Sequence, residues 1–196
     1  MSIFNLRRVV TGLDDAGRSC FIFNGPPASR LAGDNAERSA LCLWQTEGPH
    51  ASNEGGAEAA PAPFDLSLTF GSTKFLTTQF APVPDAANLP AEERARRARA
   101  ASNVTPAYRL GLTSDHPGMH VTDTIDYVAV ISGEITLVLE AGEQVLRAGD
   151  VVVDRGVAHA WENRGVEPAV IIAVLVDAEP LPHRRRTAWV ANSESP

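Results

Sequence analysis

The second half of the chain is a succession of short apolar runs, and their spacing constrains the fold more than any other feature. The runs YVAVI, ITLVL, QVL, VVV and AVIIAVLV follow one another from Tyr127 and are separated by compact turns rich in glycine and charged residues. Strands of about five residues joined by such turns are typical of an antiparallel sandwich or barrel. This half is therefore predicted to be all-β.

The first half contains further strand candidates. RRVVTGL and SCFIFNG flank a turn and predict a hairpin, while LCLWQT, LSLTF and KFLTTQFAPV are predicted strands because they are rich in β-branched and aromatic residues. We expect these strands to extend the same sheets. Residues 90–102 predict a short surface helix, with Glu92/Arg96 and Glu93/Arg97 as possible ion pairs one turn apart.

Composition excludes several classes of partner. The chain of 196 residues has a net charge of −7, which disfavours nucleic acid because phosphate contact needs a concentrated positive surface. Its two cysteines are too few for a disulfide framework, and no apolar run reaches the length of a membrane span. A cytoplasmic protein that contacts neither membrane nor nucleic acid is expected.

The stretch HPGMHVTDTIDYVAVISGE, which begins at His116, combines polar residues with the start of a strand. It resembles the first motif of the cupin family, in which a His-x-His pair and a glutamate precede a closing glycine. Gly133 matches the closing glycine, Asp126 stands at the glutamate position and His120 is the histidine before it. The second histidine of the pair is missing.

A second stretch resembles the second cupin motif. Its residues are Gly149, the turn Asp154-Arg155-Gly156, His159 and Asn163, with Asp154 where the family has proline. The two stretches together are similar to a cupin subgroup found in bacteria and fungi. The likeness runs from about Phe75 to Ala178.

The resemblance implies a double-stranded β-helix, or jelly roll. Residues 74–180 would form the barrel, with a helical insert at 88–103. Residues 1–73 would be an N-terminal β extension with a flexible loop that packs on the barrel, and residues 181–196 a C-terminal tail. A homodimer is also expected.

The resemblance further implies one divalent metal, Zn, Fe, Mn or Ni, bound by His120, Asp126 and His159. Two imidazoles and one carboxylate suit these ions and leave coordination positions open for water, oxygen or substrate. Strand alternation places Asp126 on one face with Val128 and Val130. A carboxyl group above such an apolar floor needs a cation or hydrogen bonds, or else stays protonated.

Other polar and aromatic residues are predicted to complete the site. Alternation puts His159, Trp161 and Asn163 on a common face, so Trp161 would offer a flat wall to a ligand. Tyr127, Trp161 and Asn163 are predicted to contact the substrate. His116 and Asp123 are the candidates for a general base, and Asp123 could instead orient a histidine.

Three functions are compatible with this site. The leading hypothesis is a metal-dependent lyase or isomerase that dehydrates or decarboxylates a small oxygenated organic substrate. An Fe(II)-dependent dioxygenase and a non-catalytic cupin that binds a small molecule are the alternatives. The sequence contains no G-x-S-x-G elbow, P-loop or G-x-G-x-x-G turn that would favour other chemistry.

Overall fold

The computed structural model describes residues 3–28, 30, 38–54, 56, 64–83, 88–93, 96, 109–110, 116 and 118–182. A 3₁₀ helix at Ile3–Asn5 precedes the strands. The strands are β1 (Arg8–Leu13), β2 (Ser19–Gly25), β3 (Arg38–Thr46), β4 (Thr73–Phe80), β5 (Arg109–Leu110), β6 (His120–Val121), β7 (Thr124–Ser132), β8 (Glu134–Leu139), β9 (Gly142–Arg147), β10 (Val151–Asp154), β11 (His159–Glu162) and β12 (Ala169–Asp177).

Two antiparallel five-stranded sheets form the body of the molecule. One has the order β10-β7-β12-β4-β3 and the other β5-β6-β11-β8-β9. The main hydrophobic core contains side chains from both, such as Val130 and Ile171 of the first sheet and Ile135 and Leu146 of the second. The fold is therefore the predicted all-β jelly roll, with its core between the sheets.

Strand β7 shows how the sequence pattern fixes the inner face. Val128 and Val130 are 6% and 2% exposed, whereas Tyr127 and Ile131, which flank them, are 52% and 42% exposed. Successive side chains of a strand point to opposite faces, so one face enters the core and the other meets solvent. The predicted alternation along this strand is confirmed.

The N-terminal strands are arranged differently from the prediction in one respect. The predicted hairpin is present, since β1 pairs with β2, but the two strands form a separate sheet. The turn is stabilised by Asp14, whose Oδ1 accepts hydrogen bonds from the backbone N–H groups of Ala16 and Arg18. Strand β3, by contrast, does extend the barrel sheet, where it pairs with β4.

The segment LSLTF, residues 66–70, was predicted as a strand and is not one. Lys74 Nζ donates hydrogen bonds of 2.6 Å to the carbonyl oxygens of Asp65 and Ser67, and Asp65 Oδ1 accepts one from Ser67 N. The backbone therefore curls around the ammonium group, because these local bonds replace a strand partner.

Of the predicted surface helix, residues 91–93 and 96 are helical, and the remainder lies outside the described residues. Arg96 pairs with Glu93, three residues earlier, at 2.6 Å. In the part of the chain that the structure describes, none of the helices has the length and apolar character of a membrane span.

Candidate metal-binding site

Two histidines from neighbouring strands meet inside the barrel. His120 of β6 and His159 of β11 are directly opposite each other in the antiparallel register, and residues in this position project from the same face. Their ring centroids are 4.3 Å apart with the planes inclined at 55°. The two residues are 7% and 2% exposed, so the structure brings the predicted pair together in a buried position.

Both imidazoles are held in the same way. His120 Nδ1 lies 2.8 Å from the carbonyl oxygen of Gly118, and His159 Nδ1 lies 3.0 Å from that of Val157. A ring nitrogen that faces a carbonyl oxygen carries the hydrogen, so the lone pair of each neutral ring is on Nε2. This is the tautomer of a histidine that binds a metal through Nε2.

Asp154 makes a further contact with the second histidine. Its Oδ2 lies 2.8 Å from His159 Nδ1, and both side chains are 3% exposed. The contact is electrostatic rather than an aligned hydrogen bond, because the Nδ1 hydrogen is directed at Val157. Sequence reasoning treated Asp154 only as a turn position and missed it as a partner of the histidine.

The pKa values of the two imidazoles are shifted in opposite directions. Burial, the neighbouring His159 and the guanidinium of Arg38 hold the pKa of His120 well below its usual range, so this ring is neutral. Burial also opposes the charge on His159, but Asp154, the Val157 carbonyl and Asp126 outweigh it and raise the pKa of His159. The carboxyl groups of Asp126 and Asp154 therefore favour protonation of His159 and not of His120.

Asp126 of β7 supplies the carboxyl group of the site. Burial raises its pKa to about 6, against the opposing effects of a hydrogen bond with Thr124 and the charge of His159. Its Oδ1 is buried and has no hydrogen-bond partner among the described residues. A raised pKa is what the sequence predicts for a carboxyl group above an apolar floor.

The two histidines and Asp126 line a cavity of about 60 Å³ in the barrel. Trp161 contributes another wall, with its ring 6.3 Å from that of His159 and nearly perpendicular to it. The remaining lining residues are Arg38, Ala40, Leu66, Leu76, Thr78, Phe80, Thr122, Val128, Ile171, Ala173 and Leu175. The cavity has room for the reacting end of a small molecule, with polar groups clustered around the histidines.

The donors fit a divalent ion in their chemistry. Two Nε2 lone pairs and one carboxyl oxygen without a partner are ligands that zinc and iron accept. Within the described ranges, no three His, Cys, Asp or Glu side chains already meet as a complete metal-binding group. The ligand set His120, Asp126 and His159 therefore stays a prediction.

The structure places both candidate general bases away from the cavity lining. His116 Nε2 lies 2.7 Å from Oε1 of Glu162, which follows Trp161 and points to the opposite face of β11. The backbone carbonyl of Asp123 accepts a hydrogen bond from Ala178 N, next to the end of β12. Closeness in sequence to His120 does not bring either residue into the cavity.

Two of the predicted substrate contacts also lie elsewhere. Tyr127 is 52% exposed on the outer face of its strand. Asn163 uses its amide to hold a loop, because Nδ2 donates to the carbonyl oxygens of Phe80 and Glu167 while Oδ1 accepts from Gly165 N. Of the three predicted contacts, the structure places only Trp161 among the lining residues that it describes.

Comparison with known proteins identifies part of the barrel. Residues 113–175 match the model of the cupin domain family Cupin_2. This segment is a cupin domain. It includes His120, Asp126, His159 and the turn that carries Asp154, so the whole candidate donor set lies within the cupin domain.

Fungal proteins share the cupin domain with this chain. Phomopsin biosynthesis cluster protein D of Diaporthe leptostromiformis is 45% identical over 65 residues, which are 32% of this chain and 34% of that protein. The cupin-domain-containing oxidoreductase virC of Hypocrea virens is 42% identical over 67 residues, again 32% and 34%. The chain thus spans about a third of the length of the curated relatives that it matches.

Among solved structures, a Cupin 2 conserved barrel domain protein from Salinispora arenicola is similar to this chain. It has 19% sequence identity and a TM-score of 0.40 over 76% of this chain and 82% of that protein.

Proposed function

We propose that this protein is a metal-dependent cupin enzyme that acts on a small oxygenated organic molecule. The observation that carries the proposal is the pair of buried imidazoles, His120 and His159, with both Nδ1 atoms held by backbone carbonyls. Such fixed tautomers leave both Nε2 atoms to bind one divalent ion. Asp126 is the proposed carboxylate ligand, because its buried oxygen gains a partner when a cation binds.

The proposed reaction is a lyase or isomerase step. A bound divalent ion would polarise a carbonyl or hydroxyl oxygen of the substrate and acidify the neighbouring C–H. The protein would orient the substrate against Trp161 and surround it with apolar side chains that exclude water. With a pKa of about 6, Asp126 is also suited to exchange a proton near neutral pH if it is not bound to the metal.

A dioxygenase that uses Fe(II) is the second candidate. It is favoured by the names of relatives, several of which are described as cupin-domain-containing oxidoreductases. The same two histidines and carboxylate suit Fe(II) with open positions. Reconstituting the metal-free protein with iron under anaerobic conditions and then measuring oxygen uptake with hydroxy-carbonyl and phenolic compounds distinguishes the two reactions.

The first experiment is elemental analysis of protein purified without chelators. We expect close to one equivalent of Zn, Fe, Mn or Ni per chain, and a raised melting temperature when that metal is added back to stripped protein. Less than about a tenth of an equivalent, together with no thermal shift from any of the four ions, contradicts the proposal. A non-catalytic cupin that binds small molecules is then the better account.

A further inference from the structure

The cavity contains a positively charged residue that the proposed function does not use. Arg38 is the first residue of β3 and pairs in register with Phe80 of β4. It shares a strand face with Ala40 and Cys42, which belong to the core between the sheets, whereas Leu41 packs in a separate cluster on the other face. Arg38 therefore belongs to the inner face and lines the cavity with His120.

Arg38 gives the cavity a permanent positive charge. Among the described lining residues it is the only lysine or arginine, and most of the others are apolar. A guanidinium group stays protonated at every physiological pH. An anionic ligand that enters the cavity would be attracted to it.

We propose that Arg38 binds the carboxylate of the substrate, and that the substrate is therefore a small organic acid. The planar guanidinium presents paired N–H donors that match the two oxygens of a carboxylate. Thr78 lines the same cavity and offers a hydroxyl group to one of the remaining lone pairs. A second oxygen of the acid would then face the two histidines.

This inference rests on the proposed function only in taking the cavity as the substrate site. It can therefore be tested on protein from which all metal has been removed with EDTA. Under these conditions a carboxylate cannot bind through a metal ion. The outcome then reports on Arg38, whatever the metal analysis shows.

The experiment compares acids with their neutral amides of nearly the same shape. Acetate, propionate and benzoate are paired with acetamide, propionamide and benzamide, and binding is measured by ligand-observed NMR. The wild-type protein is expected to bind at least one acid about tenfold or more tightly than its amide. Equal binding of acid and amide in all three pairs, or no binding of any acid, overturns the proposal.

Variants of Arg38 test whether this residue causes the preference for acids over amides. Arg38→Gln is expected to reduce acid binding to the level of the amide. Arg38→Lys keeps the charge but lacks the paired donors, so it should retain part of the preference for acids. This variant replaces Arg38→Gln in the experiment if the glutamine variant does not fold. Arg147→Gln is the matched control, because this arginine pairs with Glu134 on the surface and is 70% exposed. An acid preference that persists in folded Arg38→Gln contradicts the proposal, as does an equal loss in the Arg147 control.

Discussion

Asp154 Oδ2 lies 2.8 Å from His159 Nδ1, with both side chains 3% exposed. The carboxylate raises the pKa of this histidine in spite of its burial and helps to hold the hydrogen on Nδ1. Losing a group that orients a metal-binding histidine typically lowers metal affinity about 10- to 100-fold.

Replacing Asp154 with Asn should therefore weaken metal binding without removing a ligand. We expect affinity for zinc to fall roughly 10- to 100-fold, and the pKa of His159 to fall because burial is no longer opposed by the carboxylate charge. Competition with a chromophoric chelator measures the first effect and imidazole NMR the second. Asp150→Asn is the control, because this carboxylate holds an exposed turn by accepting from Arg147 N. Zinc affinity in Asp154→Asn within twofold of wild type would contradict the role given to this contact.

Removing a proposed ligand should have a larger effect. His159→Ala is expected to be purified without its metal, because the remaining donors include only one imidazole. His116→Ala is the matched control, since His116 pairs with Glu162 away from the cavity lining. Elemental analysis of both variants checks the prediction. Equal metal content in the two would remove His159 from the ligand set.

Asp126 should make the metal-free protein less stable as pH rises. Its folded-state pKa of about 6 exceeds the ordinary value of 3.8, so the folded protein keeps a proton between these pH values that the unfolded chain loses. Stability from this group is complete below pH 4 and is lost as pH rises through 6. Asp126→Asn does not titrate and should be more stable than wild type by about 3 kcal/mol at pH 8.

Urea unfolding in EDTA at pH 4 and pH 8 checks this pH dependence. The difference between wild type and variant reports on Asp126 together with its effect on the pKa of His159. A difference that is the same at both pH values would show that the carboxyl group does not titrate as proposed. Metal analysis of the same variant is informative too, because retained metal with lost turnover would make Asp126 a proton carrier instead of a ligand.

Gly156 lies close to the backbone of Thr122, and the absence of a side chain allows this approach. Its φ is +66°, and a Cβ atom would lie 3.0 Å from the carbonyl oxygen of Thr122. Gly156→Ala should cost about 1–3 kcal/mol of unfolding free energy, because the backbone conformation and the contact are both unfavourable for alanine.

The control for this substitution is Gly142→Ala, where an added Cβ meets nothing within 4 Å. Chemical denaturation of both variants at neutral pH gives the comparison. We expect the Gly142 variant to stay within about 0.5 kcal/mol of wild type. Similar losses in the two variants would show that the close approach of Gly156 to Thr122 has no special importance.

The barrel and the histidine pair could be predicted from sequence because both follow from local patterns. Alternation along β7 assigned Asp126 and Tyr127 to opposite faces, and the two motif-bearing stretches contained His120 and His159. Residues 66–70 have the composition of a strand, but hydrogen bonds to Lys74 give them another conformation. Composition alone does not reveal such a competing local partner.

The rest of the site depends on contacts that sequence spacing does not show. His116 lies near His120 in the sequence, yet it pairs with Glu162 on the opposite face of β11. Arg38 belongs to a strand far from the motifs, and only the sheet order β7-β12-β4-β3 brings that strand to the cavity. Asp154 occupies a turn position at which an aspartate ordinarily caps the backbone, so its contact with the histidine was not anticipated.

Strand β10 is the edge of its sheet and pairs only with β7 among the described strands. Its valines Val151 and Val153 are 76% and 57% exposed, and its last residue is Asp154. Edge strands with few buried contacts open at lower free energy than the interior of a sheet. On warming, β10 would therefore fray while the barrel is still intact, and His159 would lose its carboxylate partner first. The temperature at which the proposed metal site is lost would then be set by the four residues of this edge strand and not by the melting of the core.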